Sequence, residues 1–173
     1  MVYEFNLLVS CRWGASGRAI AEARKILNML GDEEPEISRT IAQGIIGVRT
    51  KLDPREVTAK LRRAFSEDPF IVRETLKWTP IDTWTISELP EMKKTVEKMV
   101  KNIKENETWR MTVEKRRYTK YHKAEIIQTL AEVVDRRVDL EKPDKILLIE
   151  IIGRNAGISL LRPDEVFSST KPY

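Results

Sequence analysis

One stretch of the sequence, residues 109–161, constrains the fold more than any other. A short strand pattern at its start leads through a basic run into a helix, whose apolar residues recur at helical spacing from Ile126 to Val134. The most apolar segment of the chain, 146–152, follows, and a turn bounded by Gly153 and Gly157 precedes one more apolar strand. A right-handed crossover makes the two strands that flank the helix parallel. The sequence therefore predicts a βαβ unit whose last strand pairs antiparallel with the next one.

The basic run lies between the first strand and the helix of this unit. A helix N-terminus presents unpaired backbone N–H groups and the positive end of the helix dipole. Cations beside aromatic rings supply phosphate attraction and base stacking together, which single-stranded RNA binding requires. A solvated loop is the alternative, and the charge run alone favours the two equally. We expect the arginines of the run to be exposed. The cations and tyrosines of the run that could make such contacts are Lys115, Arg116, Arg117, Tyr118, Lys120, Tyr121 and Lys123.

The part of the chain before this stretch predicts a separate domain. Two helix patterns alternate with strand patterns, and Gly31 is expected at the C′ position of the first helix. Asp53 and Pro54 suit the N-cap and the first turn of the second helix. The order βαββαβ is that of a ferredoxin-like domain, a small antiparallel sheet covered by two helices. The four strand patterns lie at 5–10, 36–41, 45–50 and 71–78.

The sequence thus predicts an α+β or α/β protein of two domains, 1–82 and 83–173. Residues 79–84 are interpreted as the linker, and the tail 162–167 is expected to dock on a sheet. The second domain begins with a helix near Ser87, whose lysines alternate with glutamates. This mixture is typical of a solvated face first and of an RNA surface second.

Composition limits the function classes. The chain has 173 residues, 31 Lys and Arg against 27 Asp and Glu, and a pI of about 9.2, a balance that mildly favours an anionic partner. With one His and one Cys it cannot build a clustered His/Cys metal site, and we expect neither metal nor cofactor. The lone Cys11 indicates a reducing compartment. No apolar run reaches membrane-spanning length and no signal peptide is evident, so we expect a cytoplasmic protein without a membrane partner.

Three features leave alternatives open. His122 is a possible base, but no oriented nucleophile accompanies it, so we expect no catalytic residues. The loop from Arg12 to Arg18 follows a strand as the arginine loop of acylphosphatase does, although the glutamine-glycine-valine core of that family is missing. Glu150 interrupts the most apolar strand. It requires either a partly exposed face or pairing with Arg110 or Arg154.

The order of elements resembles a known family. Residues 142–145 before 149–152, followed by 158–161, resemble the end of a THUMP domain, and the helix from Ser87 with the strand, basic run and helix after it has the THUMP order. Four short motifs resemble one branch of the family more closely, the stand-alone THUMP adaptor of tRNA cytidine acetylation. These motifs are Pro80 to Thr83, Glu91 to Lys94, Lys115 to Arg117 with His122, and Glu125 to Ile127.

The resemblance implies that the chain is not an enzyme but a tRNA-binding adaptor for a separate tRNA cytidine acetyltransferase that makes N4-acetylcytidine. It also implies that a ferredoxin-like domain and a THUMP domain recognise tRNA together. Other THUMP proteins continue into a methyltransferase, deaminase or thiouridine synthase domain, for which we expect no room before Tyr173. By position, the resemblance implies RNA contacts at Lys115, Arg116, Arg117, Lys120, His122 and Lys123, to which base stacking adds Tyr118 and Tyr121. Arg154, at the tip of the glycine-bounded turn, is a weaker RNA-binding candidate. The alternatives are an RNA-binding subunit for thiolation or methylation, and an acylphosphatase-like enzyme.

Overall fold

A computed structural model describes residues 2–170, so residues 1 and 171–173 of the predicted domains lie outside it. The described chain forms two compact units, one of residues 4–81 and 164–170, the other of residues 2–3 and 82–163. Residues 82–163 of the second unit are thus inserted between two segments of the first. Its elements are, in order, β1 (Leu7–Cys11), α1 (Ser16–Leu30), β2 (Glu36–Arg39), β3 (Ile45–Arg49), α2 (Pro54–Glu67), β4 (Thr75–Pro80), β5 (Thr83–Ile86), α3 (Leu89–Met99), β6 (Thr108–Arg116), α4 (Lys123–Ala131), β7 (Arg137–Val138), β8 (Lys145–Ile152), β9 (Asn155–Leu161) and β10 (Phe167–Ser168).

The first unit is an antiparallel sheet in the order β10-β4-β1-β3-β2 with two helices. Helix α1 buries a stripe of small and branched residues, Ala19, Ala23, Ile26 and Leu27, at helical spacing. It ends at Gly31, whose φ of 114° is the left-handed conformation expected at C′. Helix α2 begins as the sequence predicts, with the Asp53 carboxylate accepting a hydrogen bond from the backbone N–H of Arg55.

Two segments of this unit differ from the sequence prediction. Residues 69–71 form a 3₁₀ turn, and the strand expected from residue 71 begins only at Thr75. The Glu22 carboxylate of α1 accepts the backbone N–H groups of residues 73, 74 and 75, which satisfies these donors without a neighbouring strand. The strand then runs to Pro80, so the predicted linker shrinks to the two residues between β4 and β5.

The tail completes the first sheet. Strand β10 pairs antiparallel with β4, with Phe167 opposite Trp78, and both rings are buried in the core of this unit. The ring of Phe65 meets that of Phe167 edge-on at 5.4 Å. The tail does pair with a sheet, but this is the sheet of the first unit and not that of the domain to which the sequence assigned the tail. The structure places residues 164–170 in the first unit, whereas the sequence assigned them to the second domain.

The second unit has a mixed sheet in the order β5-β9-β8-β6-β7. Strands β6 and β8 flank α4 in sequence and pair parallel over eight residues, and β8 and β9 pair antiparallel through the Gly153 turn. This is the predicted βαβ unit with its extra strand, to which the structure adds the short parallel strand β7. Helices α3 and α4 contribute Met92, Val96, Ile126 and Leu130 to the core. Within residues 2–170, no helix combines the length and apolar character that crossing a membrane requires.

Candidate nucleic-acid interface

The carboxyl ends of β6 and β8 lie at the same edge of the second sheet because the two strands are parallel. Backbone hydrogen bonds join three segments at this edge. Gly153 N donates to Arg116 O at 2.9 Å, and Ser87 N donates to Arg154 O at 3.0 Å. The Ser87 hydroxyl donates to Gly153 O at 2.8 Å, while Tyr118 donates its hydroxyl proton to Ser87 O at 2.8 Å. The end of β6, the β8–β9 turn and the approach to α3 therefore support one surface.

The sequence predicts that Arg116 lies in the loop between strand and helix. In the structure it is the last residue of β6. Its Nη1 donates to Glu150 Oε2 at 2.8 Å, and the Glu150 side chain is 3% exposed against 29% for Arg116. The register explains the pair, since Glu114 lies opposite Glu150 and Arg116 is two positions further on the same face of the sheet. The expectation that Arg116 is exposed is wrong. Glu150 is also buried and pairs with Arg116 rather than with Arg110 or Arg154.

Lys115 and the two tyrosines are half-buried. Lys115, also within β6, donates from Nζ to Tyr121 O at 2.8 Å and lies 6.0 Å from the centre of the Tyr118 ring. The rings of Tyr118 and Tyr121 are 6.4 Å apart and pack against the core of the second unit. Burial, with smaller contributions from Tyr121, Glu88 and Glu125, raises the pKa of Tyr118 to about 12. Lys115, Tyr118 and Tyr121 thus hold residues 115–121 against the sheet of the second unit. This packing reduces the area of the two tyrosine rings that is available for stacking on a base.

Lys120 is exposed and pairs with Glu88, which the sequence analysis did not single out. Its Nζ donates to both carboxylate oxygens of Glu88 at 2.6 Å and lies 5.6 Å from the centre of the Tyr121 ring. The hydrogen bond to Glu88 raises the pKa of Lys120. An exposed pair of this kind contributes little stability, so an arriving phosphate can compete for the lysine. Glu88 immediately precedes α3, and only the tertiary fold brings it to this lysine.

Four other candidates are exposed at this edge. Arg117 has a φ of 58°, a left-handed conformation in which its side chain leaves the direction of the strand. His122 is the N-cap residue of α4 without a side-chain cap, and Lys123 is the first residue of that helix. Arg154 lies at the tip of the β8–β9 turn. Within residues 2–170, neither Arg117, Lys123 nor Arg154 forms an ion pair, so their charges face solvent.

The loop from Arg12 to Arg18, which the sequence analysis compared with that of acylphosphatase, belongs to the first unit. Arg18 is exposed in the first turn of α1, and its Nε donates to Glu74 Oε2 at 3.3 Å. Arg12 is exposed in the turn after β1, where its carbonyl accepts a hydrogen bond from Ala15 N at 3.1 Å. Among the described residues, Arg18 of this loop forms an ion pair and Arg12 does not.

The family model of the THUMP domain matches residues 87–161. This range begins just before α3 and ends with β9, and it includes the whole edge described above. The second unit therefore contains a THUMP domain, as the sequence resemblance predicts. No curated protein matches the chain.

Solved structures share the fold over nearly the whole chain. PH1313 from Pyrococcus horikoshii OT3 superposes with a TM-score of 0.65 and 19% identity, covering 90% of this chain and 54% of its own. TrmN from Thermus thermophilus superposes with a TM-score of 0.58 and 12% identity, covering 91% of this chain and 46% of its own. A 4-thiouridine synthetase in complex with RNA and ATP superposes with a TM-score of 0.51 and 14% identity, covering 95% of this chain and 42% of its own. At these identities the likeness shows the fold. The chain spans about half the length of these proteins, or less.

Proposed function

We propose that this protein binds tRNA and presents it to a separate N4-acetylcytidine acetyltransferase. The observation that carries the proposal is a THUMP domain with unpaired cations at one edge of its sheet, Arg117, Lys123 and Arg154. Each exposed cation that neutralises a phosphate releases a condensed counterion, which drives nucleic-acid binding. The N-terminus of α4, which begins at Lys123, adds the positive end of a helix dipole.

The adaptor role rests on two kinds of support. The four short motifs resemble the stand-alone branch of the THUMP family. The antiparallel sheet and two helices of the first unit support the proposal that it is the ferredoxin-like companion of the THUMP domain. On this proposal the chain itself does not catalyse. It holds a large substrate in a defined orientation for the enzyme, which lowers the entropic cost of the reaction. A partner in tRNA modification also makes the cytoplasm the proposed location.

An acetylation assay with purified components tests the role. We expect no acetylcytidine in tRNA from this chain with an acetyl donor, little from the acetyltransferase alone, and full acetylation from the two together. The double variant Arg117→Ala with Lys123→Ala should reduce acetylation in the mixture, while the exposed lysine variant Lys60→Ala on α2 serves as a matched surface control. Acetylcytidine formed by this chain alone would overturn the adaptor proposal.

A second candidate is an RNA-binding subunit for another tRNA-modifying enzyme. The observation that favours it is the fold likeness to a 4-thiouridine synthetase captured with RNA. Mass spectrometry of the nucleosides in total tRNA, after deletion of the gene, separates the candidates. Loss of acetylcytidine supports the first, whereas unchanged acetylcytidine with loss of a thiolated or methylated nucleoside supports the second.

A further inference from the structure

An exposed tryptophan lies on the first unit, far in sequence from the candidate interface. Trp13, in the turn between β1 and α1, is 76% exposed, and Ile41, in the turn between β2 and β3, is 59% exposed. The two turns adjoin, because Cys11 N donates to Gly44 O at 2.9 Å. A Cβ on Gly44 would lie 3.1 Å from Cδ1 of Trp13, so the indole rests against this glycine. The unit therefore presents a large aromatic ring with most of its surface in solvent.

Hydrogen bonds hold the two turns that carry these side chains. The Thr40 hydroxyl donates towards Ile45 O at 2.9 Å and accepts from Ala42 N at 3.1 Å. Gly44 has a φ of 81°, and a side chain there would meet Cys11 O at 2.9 Å. The tryptophan thus stands on an ordered support, which lowers the entropy lost when a planar ligand stacks on it.

Two exposed arginines belong to the segments that adjoin these two turns. Arg12 precedes Trp13 directly, and Arg39 ends β2, beside the turn that contains Ile41. The Arg39 guanidinium reaches the first turn of α1, 3.6 Å from where a Cβ on Gly17 would be. Both arginines are exposed, and within residues 2–170 neither forms an ion pair. The patch therefore combines an open aromatic face with two free positive charges.

We propose that Trp13 stacks on an unpaired nucleobase of bound RNA while Arg12 and Arg39 bind the adjacent phosphates. Aromatic rings beside cations are the common device for single-stranded RNA, whose bases offer flat faces and whose backbone is anionic. The charge favours RNA over an apolar protein surface as the occupant. The inference rests on the proposed RNA-binding function and adds a contact that belongs to the first unit.

Intrinsic fluorescence and binding measurements test the contact. Trp78 and Trp109 are buried, whereas Trp84 is half-buried. In a Trp84→Phe background, Trp13 should therefore dominate quenching when a short single-stranded RNA of mixed sequence is added, and a blunt-ended duplex should quench less. Trp13→Ala should weaken binding of the single strand about 5- to 140-fold, the range of 1–3 kcal/mol for one stacked base, with an unchanged salt slope. Trp13→Phe should retain most of the affinity. Arg12→Ala with Arg39→Ala should lower the log–log salt slope by about 1.4.

Matched variants make the result decisive. Phe70, 73% exposed on the same unit, provides the control, since Phe70→Ala should bind RNA as the parent protein does. Normal RNA affinity of Trp13→Ala, with loss in the double variant of Arg117 and Lys123, overturns this inference and leaves the proposed function intact. No RNA binding by the parent protein overturns both. Loss of acetyltransferase association in Trp13→Ala without RNA, at unchanged RNA affinity, identifies a protein-binding patch and also overturns the inference.

Discussion

Replacing Arg116 by alanine should destabilise the protein rather than simply remove an RNA contact. The pair with Glu150 places a carboxylate in the interior with a half-buried guanidinium at 2.8 Å. Removing one partner of a buried ion pair costs about 3–5 kcal/mol, and a hydrogen bond to a charged group contributes about 1.5–3 kcal/mol. Because water reaches Arg116, we expect the cost where these ranges meet, about 3 kcal/mol. For a chain of this size that corresponds to a melting temperature about 6–12 °C lower.

A double-mutant cycle measured by thermal and urea unfolding isolates the pair. Arg116→Ala, Glu150→Gln and the double variant should give a coupling energy of about 2 kcal/mol between the two positions, because the arginine loses its charged partner in the second variant. Arg117→Ala is the matched control, since the neighbouring arginine is exposed, and its melting temperature should stay within about 2 °C of the parent value. The reasoning is refuted if Arg116→Ala melts like the parent protein while losing as much RNA affinity as Arg117→Ala.

Three further predictions follow from the same geometry. The raised pKa of Tyr118 stabilises the fold fully below about pH 10, and this contribution is lost as the pH rises towards 12, so Tyr118→Phe should unfold with a weaker pH dependence in that window. Arg117→Ala with Lys123→Ala should lower the salt slope of tRNA binding by about two, as measured by filter binding at several salt concentrations, whereas an unchanged slope would exclude both as phosphate contacts. Gly47→Ala should lower the free energy of unfolding by about 1–3 kcal/mol, since a Cβ there would lie 2.3 Å from the Phe5 ring, and equal urea midpoints would contradict this.

Most helices and strands could be predicted from local sequence patterns. The glycine that ends α1 and the Asp–Pro pair that begins α2 act within a few residues, so the sequence alone reveals them. The apolar run at 146–152 likewise predicts a strand, and β8 contains it. The segment before β4 was mispredicted as strand because the carboxylate that satisfies its backbone donors comes from Glu22, about fifty residues earlier.

The candidate interface was harder to predict because tertiary contacts decide which of its side chains are buried and which are exposed. Nothing in the run from Lys115 to Lys123 distinguishes Arg116 from Arg117, yet one faces Glu150 and the other faces solvent. That difference depends on the register of β6 against β8, which adjacent residues do not encode. Glu88 escaped notice for the same reason, since its contact with Lys120 joins positions about thirty residues apart. Whether the exposed cations bind RNA stays a prediction.

The return of the chain to its first sheet links the folding of the two units. Pairing of β10 with β4 closes a loop of about 90 residues, which is entropically costly in an unfolded chain. Within the second unit, Asp82 N donates to the Ser159 hydroxyl at 3.0 Å and Leu160 N donates to the Asp82 carboxylate at 3.0 Å, so folding of that unit brings the two ends of the loop together. The loop left to close is then about a dozen residues, a saving of about 2 kcal/mol. The last strand of the first unit should therefore dock late, after the inserted unit has folded, and mutations that unfold the insert should loosen β10 without touching it.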